Sequence, residues 1–157
     1  MRTAGVAVAM ASRGRPTTYL VIADDSGGTV RIYASDKFPA DASADLATRL
    51  LDTAEAVRSR LQGLEVARAV VRRADRPRQA NNKDGPRFRL LMEGAVTSAA
   101  RGVVVDTVIG TGADTGAWYG TSKRDLDSAA GRLVADAGLH EDYTEAASAA
   151  LAALRRP

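Results

Sequence analysis

The sequence predicts an α/β protein with a mixed sheet, in which three antiparallel strands are followed by two parallel strands and helices cover both faces. Two observations lead to this fold class. The first 35 residues alternate extended segments with turn residues, and the remaining chain alternates segments of helical period with short β-branched runs. No internal repeat or linker divides the 157 residues, so we expect a single domain over 1–157.

The N-terminal part is predicted to form a meander of three antiparallel strands. Residues 5–12 (GVAVAMAS) are small and apolar, as in a central strand, and residues 17–24 (TTYLVIAD) are rich in β-branched and aromatic side chains. Residues 25–28 (DSGG) predict a turn, because Asp and Ser bond to nearby backbone and glycine accepts a positive φ. Residues 29–35 (TVRIYAS) alternate polar and apolar side chains, which indicates a half-buried strand.

A first helix is predicted after the meander. Its apolar side chains recur at intervals of three or four residues, at Leu46, Leu50, Ala54, Val57, Leu61 and Leu64. We expect Asp41 or Ser43 to cap its start and Gly63 to end it in a left-handed conformation.

Strands and helices then alternate to the end of the chain. Strands are predicted at 66–72 and 103–110, and the continuous β-branched run of the second predicts cover on both faces. Further helices are predicted from Pro86 to Gly102, from Ser122 and through the alanine-rich C-terminus. The glycines of 110–116 do not have the dinucleotide-binding spacing, so we expect a flexible connection there.

Composition excludes several classes of chemistry. The absence of cysteine excludes disulfides, thiolate catalysis and cysteine-ligated zinc, and a single histidine, His140, excludes a multi-histidine metal site. No apolar run approaches the roughly 20 residues of a membrane span. We therefore expect a cytoplasmic protein.

The segment 68–89 is strongly basic. It holds eight basic residues against Asp75 and Asp84, a local charge of +6 in a chain of net charge +3. The basic residues are Arg68, Arg72, Arg73, Arg76, Arg78, Lys83, Arg87 and Arg89. Clustered arginines indicate contact with phosphates, so this loop is a candidate nucleic-acid interface. The alternative is a solvated loop in a chain with a general bias toward arginine.

Several motifs resemble those of a known family. The residues SAARGVVVDTV (98–108), Lys123 after a glycine-containing loop, and DYTEAASAAL (142–151) are similar to motifs of RuvC-type Holliday-junction resolvases. These enzymes belong to the ribonuclease H-like superfamily, and the resemblance extends along nearly the full chain. It implies a ribonuclease H-like fold, binding of DNA in which Lys123 takes part, and a nuclease site at the sheet.

The resemblance also implies where a metal site would lie. Such nucleases hold two Mg²⁺ or Mn²⁺ ions between carboxylates from the first strand, the fourth strand and the last helix. In this chain Ala11 and Arg72 fall at the two strand positions, and neither side chain can bind a divalent cation. Asp142 and Glu145 fall at the helix positions and are candidate metal ligands, although acids there also suit the first turn of a helix.

Other acids are candidates for a diverged site. Asp106 lies within an apolar strand, where it is either catalytic or on the wet face of an edge strand, and Asp75 lies just past the predicted fourth strand. Glu93 is expected to be solvated. Trp118 and Tyr119 either stack on bases or anchor their loop to the core.

Three hypotheses of function follow. The first is a DNA-binding RuvC-like domain with a degraded metal site and no cleavage, which needs no cofactor. The second is an active, diverged endonuclease that uses Mg²⁺ or Mn²⁺. The third is an assembly protein, a homodimer for example, which associates through a sheet edge or its alanine-rich last helix.

Overall fold

The computed structural model describes residues 1–10, 16–75 and 84–157, so Ala11, Arg76, Arg78 and Lys83 lie outside the described residues. The elements are β1 (Arg2–Ala9), β2 (Thr17–Asp24), β3 (Arg31–Pro39), α1 (Leu46–Gln62), β4 (Arg68–Arg72), α2 (Asp84–Arg101), β5 (Asp106–Gly110), α3 (Gly112–Tyr119), α4 (Lys123–Asp136), a 3₁₀ turn (Glu141–Tyr143) and α5 (Thr144–Arg155).

The five strands form one mixed sheet in the order β3-β2-β1-β4-β5. β1 pairs antiparallel with β2, and β2 with β3, whereas β4 is parallel to both β1 and β5. The predicted fold class is therefore confirmed. One row of paired residues crosses the sheet near the carboxyl ends of the parallel strands, and it consists of Lys37, Tyr19, Ala7, Arg72 and Gly110.

Helices cover both faces of the sheet. On one face, α1 and α2 contribute side chains such as Leu61 and Val96 to a core with Val6 and Leu20. On the other face, α3, α4 and α5 pack together over β1, β2 and β4. Within the described ranges, none of these helices is both long and apolar enough to span a bilayer.

The alanines of α5 lie inside the protein. The helix is buried from Ala146 to Ala153 because it packs on β1 and β4 and is flanked by α3 and α4. At Gly5 the backbones of β1 and α5 approach so closely that an added Cβ would collide with the Ala146 carbonyl oxygen and the Ala150 amide. The prediction that this helix forms an oligomer surface is therefore wrong, since its small side chains serve close packing on the sheet.

Two predictions about the second half were wrong. β5 is an edge strand of five residues, and Val105 just before it is 77% exposed, so the run 103–110 is not covered on both faces. The segment expected to be a flexible connection is mostly helix α3. Its start is fixed by a capping box in which Thr111 and Asp114 bond to each other's backbone, and Gly120 ends it with φ 84°.

Smaller corrections concern the ends of the early elements. β1 occupies 2–9 rather than 5–12, and β3 occupies 31–39 rather than 29–35. Helix α1 is capped by Asp45, which accepts a bond from the Thr48 amide, because Asp41 is engaged in a turn with Ser43. Gly63 follows α1 with φ −81°, so the predicted left-handed end is absent.

Candidate functional site

A buried arginine lies at the carboxyl end of β4, between the central strand β1 and the edge strand β5. Arg72 is the last residue of β4 and is only 2% exposed. Its Nη1 donates to Oδ1 of Asp127 at 2.7 Å, and its Nη2 donates to Oδ2 at 3.1 Å. This bidentate geometry gives the strongest form of arginine–carboxylate pairing. Asp127 comes from α4, so the pair joins the sheet to the helix layer above it.

A third side chain completes this cluster. Ser148 of α5 is buried and donates from Oγ to Oδ1 of Asp127 at 2.7 Å. Burial by itself raises the pKa of Asp127, but the hydrogen bonds from Arg72 and Ser148 and the positive charge of Arg72 outweigh it and lower the pKa. Asp127 is therefore ionised at neutral pH, and the cluster is an ion pair between the buried Arg72 and the partly exposed Asp127.

A second ion pair lies beside the first. Lys123 at the start of α4 pairs with Asp75, whose Oδ1 also accepts a bond from the Gly112 amide at 3.0 Å. The hydrogen bond from Lys123 is the main reason that the pKa of Asp75 is lowered. Gly112 fits tightly here, because an added Cβ would lie 2.7 Å from Nη2 of Arg72 and from Cδ of Lys123.

The resemblance implied a pair of divalent cations at this point of the sheet. The β1 residue that pairs with Arg72 is Ala7, which offers no oxygen ligand. The described ranges contain no group of three or more His, Cys, Asp or Glu side chains placed to hold a metal ion. Mg²⁺ and Mn²⁺ need several oxygen ligands, and the guanidinium of Arg72 would repel them.

The two predicted helix ligands are engaged elsewhere. Oδ2 of Asp142 accepts from the Tyr19 hydroxyl at 3.1 Å and lies 3.1 Å from Nδ1 of His140. Burial and this bond to Asp142 raise the pKa of Tyr19. Oε2 of Glu145 accepts from Nη2 of Arg89 at 3.0 Å. The structure therefore holds both acids through hydrogen bonds to other side chains.

Asp106 lies at the other end of the sheet. It begins β5, pairs in register with Arg68, and forms ion pairs with Arg68 at 3.2 Å and with Arg156. Four residues of strand, about 13 Å, separate it from the end of β5 at Gly110. The structure therefore does not bring Asp106 together with Asp75, Asp142 and Glu145.

The predicted basic interface divides into four groups. Arg72 is buried and paired with Asp127, and Lys123 and Arg89 are held in ion pairs. Arg73 is half-buried and Arg87 is exposed, which leaves both accessible. The remaining members, Arg76, Arg78 and Lys83, lie outside the described residues.

Glu93 is a buried acid that the sequence analysis expected to be solvated. It is only 1% exposed, and its Oε1 accepts from the Ala74 amide and from Nε of Arg89, both at 2.8 Å. The only sequence feature that indicated an ion pair for Glu93 was its i,i+4 spacing from Arg89. The sequence did not predict that Asp127 and Ser148 belong to the site, because each lies on a helix whose orientation over the sheet could not be read from the sequence.

The aromatic pair after the glycines lies against the core. Trp118 and Tyr119 are partly buried and pack against the apolar cluster under α4 and α5. The ring of Trp118 lies so close to Gly110 that an added Cβ there would be 2.5 Å from it. The structure favours the anchoring role over the stacking role for these side chains.

Comparison with known proteins identifies the fold. No family model and no curated protein sequence matches this chain. The structure is similar to Thermus thermophilus RuvC, with a TM-score of 0.70 at 16% identity over 97% of this chain and 92% of that one. RuvC in complex with a Holliday junction substrate gives the same TM-score and identity over 97% and 91%. The fowlpox virus Holliday junction resolvase matches at a TM-score of 0.39 and 11% identity. The fold is therefore that of RuvC, as the sequence motifs led us to expect.

Proposed function

We propose that this protein binds nucleic acid, DNA in preference, on a RuvC-like fold without cleaving it. One observation carries the second half of this proposal, namely that the buried Arg72 forms a bidentate pair with Asp127 at the carboxyl end of β4. A two-metal nuclease needs a converging set of oxygen ligands to clamp the attacking and leaving oxygens of the phosphodiester. A guanidinium at that place supplies hydrogen-bond donors and a positive charge instead.

The binding half of the proposal rests on charge and on fold. Arg73 and Arg87 are accessible at the carboxyl end of the sheet and flank the chain segment that carries Arg76, Arg78 and Lys83. Arginines clustered in this way contact phosphates with little dependence on base sequence. The RuvC structure with a Holliday junction substrate shows that a protein of this fold accommodates branched DNA. Loss of metal ligands leaves such contacts intact.

Fluorescence anisotropy with labelled DNA tests the binding. We expect the wild type to bind a four-way junction, a duplex and a single strand, with affinity that falls as salt rises. The double variant Arg73→Ala, Arg87→Ala should weaken binding by about tenfold or more, because two phosphate contacts are lost. Arg31→Ala is the matched control: Arg31 is exposed and lies at the opposite end of the sheet, so its loss should change affinity less than twofold.

A cleavage assay on the same DNA tests the proposal that the protein does not cleave the DNA it binds. Incubation with Mg²⁺ or Mn²⁺ should leave the junction, the duplex and the single strand intact. Metal-dependent cleavage that disappears in an Asp127→Asn or Glu145→Gln variant would contradict the proposal and support the active, diverged nuclease. Affinity that is independent of salt and of Arg73 and Arg87 would contradict DNA binding through this surface.

A further inference from the structure

A cavity of about 590 Å³ lies beside the carboxyl ends of β1 and β4. Its apolar walls are formed by Met10, Ala74, Pro86 and Leu90, and Glu93 also lines it. This volume is in the range of small-molecule sites, which are mostly apolar with a few polar groups placed inside. The cavity lies next to the basic segment but plays no part in the Arg72 cluster.

Glu93, which lines this cavity, has one polar atom without a partner in the described part of the chain. Glu93 is 1% exposed, and while Oε1 accepts two hydrogen bonds, Oε2 is buried without a hydrogen-bond partner among the described residues. A buried carboxylate oxygen without a donor is costly, and native structures rarely leave one unpaired. The last torsion of a Glu side chain is soft, so a small turn presents Oε2 to a donor in the cavity.

The charges around the cavity indicate which kind of ligand would carry this hydrogen-bond donor. Arg73, Arg87 and Arg89 line it, against the acids Asp75 and Glu93. Asp75 and Arg89 are held in ion pairs, whereas Arg73 and Arg87 form none within the described part of the chain. A free cation is disfavoured by the excess of arginine. A ligand with an anionic group for the arginines, an apolar flat body for the walls and an N–H donor for Glu93 has the required properties.

A nucleotide has these three properties. We propose that the cavity receives one unstacked nucleobase of a bound DNA strand, whose exocyclic amino group donates to Oε2 of Glu93 while Arg73 and Arg87 bind the flanking phosphates. Acidic side chains accept hydrogen bonds from base amino groups, and unstacked bases are read on their hydrogen-bonding edges. Adenine, cytosine and guanine carry an amino group and thymine does not. This inference rests on the proposed function, because it requires the strand to be bound.

Anisotropy with single-stranded oligothymidylate tests the inference. One central thymine is replaced in turn by adenine, cytosine, guanine or an abasic site. We expect the three amino-bearing bases to bind about tenfold tighter than the abasic site, the effect of one hydrogen bond to a charged acceptor. Thymine, whose one donor is its ring N3–H, should bind more weakly than these three bases. Glu93→Gln should remove this preference, because an amide can present its own donors to the base.

A second variant, Leu90→Trp, tests the base site independently if Glu93→Gln does not fold. Leu90→Trp fills the cavity from an exposed position and should remove the base preference while leaving Glu93 in place. Leu51→Trp, at an equally exposed leucine on α1, is the matched control and should retain the preference.

The outcomes separate the two proposals. Strand binding that is equal for all bases and for the abasic site overturns the base site and leaves DNA binding standing. Absence of strand binding overturns the proposed function and this inference with it. Deoxynucleoside monophosphates are measured in parallel, and a base preference seen with them but not in the strand would contradict a strand as the source of the base.

Discussion

Asp127 is the residue on which the buried arginine depends. Its replacement by alanine removes the carboxylate that pairs with the buried guanidinium of Arg72, and breaking such a pair is among the most destabilising single changes in a protein core. We expect Asp127→Ala to lower the free energy of unfolding by about 3 kcal/mol, measured by urea denaturation. Asp136→Ala removes an exposed carboxylate from the same helix and should change it by less than about 0.5 kcal/mol. Equal effects of the two variants would show that the pair contributes little.

The lowered pKa of Asp127 predicts how stability depends on pH. A carboxyl group whose pKa in the folded state is below its unfolded value of about 3.9 contributes its full stabilisation above that value, and this is lost as pH falls through the folded pKa. The difference in unfolding free energy between the wild type and Asp127→Asn should therefore be constant near neutrality and shrink below about pH 4. A difference that grows on acidification would contradict an ionised Asp127.

The sequence predicted one member of the central cluster and not its partners. Arg72 was identified because it falls where the RuvC-type family has a metal ligand on the fourth strand, and a cationic side chain cannot bind a metal ion there. Asp127 and Ser148 could not be identified, because their contact with Arg72 depends on how α4 and α5 are rotated over the sheet. That rotation is set by packing between elements distant in the sequence, which no local pattern encodes.

At the level of elements, β1 and α5 approach each other closely at Gly5. We expect Gly5→Ala to lower the free energy of unfolding by about 2 kcal/mol or more, because the added Cβ forces α5 away from the sheet. Gly94→Ala is the matched control, since Gly94 lies within helix α2 with open space around its Cα. It should stabilise the protein by about 0.5–1 kcal/mol through helix propensity. Thermal unfolding of both variants measures the difference between their effects on stability.

Helix α3 shows why local composition misled the prediction at one element. The run 110–116 contains three glycines, which lower helix propensity and favour a loop. The structure forms a helix there because Thr111 and Asp114 cap it, and because Gly112 and Gly116 allow its backbone to approach Lys123 closely. These glycines serve tight packing, which becomes visible only when the neighbouring helix is placed.

For the whole molecule, the order of elements was sufficient to predict the fold. Three sequential strands followed by alternating helices and strands leave few ways to build a sheet, and the predicted mixed sheet agrees with the observed pairing. The positions of candidate acids were less predictable, because they depend on where each strand begins and ends. Asp106 illustrates this, since β5 starts at that residue and thus places it far from the carboxyl end of the sheet.

The central proposal is that the arginine–carboxylate pair at the carboxyl end of β4 takes the place of the metal ions that the resemblance to RuvC-type nucleases implies there. A crystal structure of the protein soaked in Mn²⁺, with anomalous scattering used to locate the metal, tests this claim most directly. We predict the bidentate contact between Arg72 and Asp127 with no manganese peak beside it. Two manganese ions about 3.5–4 Å apart, bound by Asp127 and Glu145 with Arg72 displaced, would contradict the account.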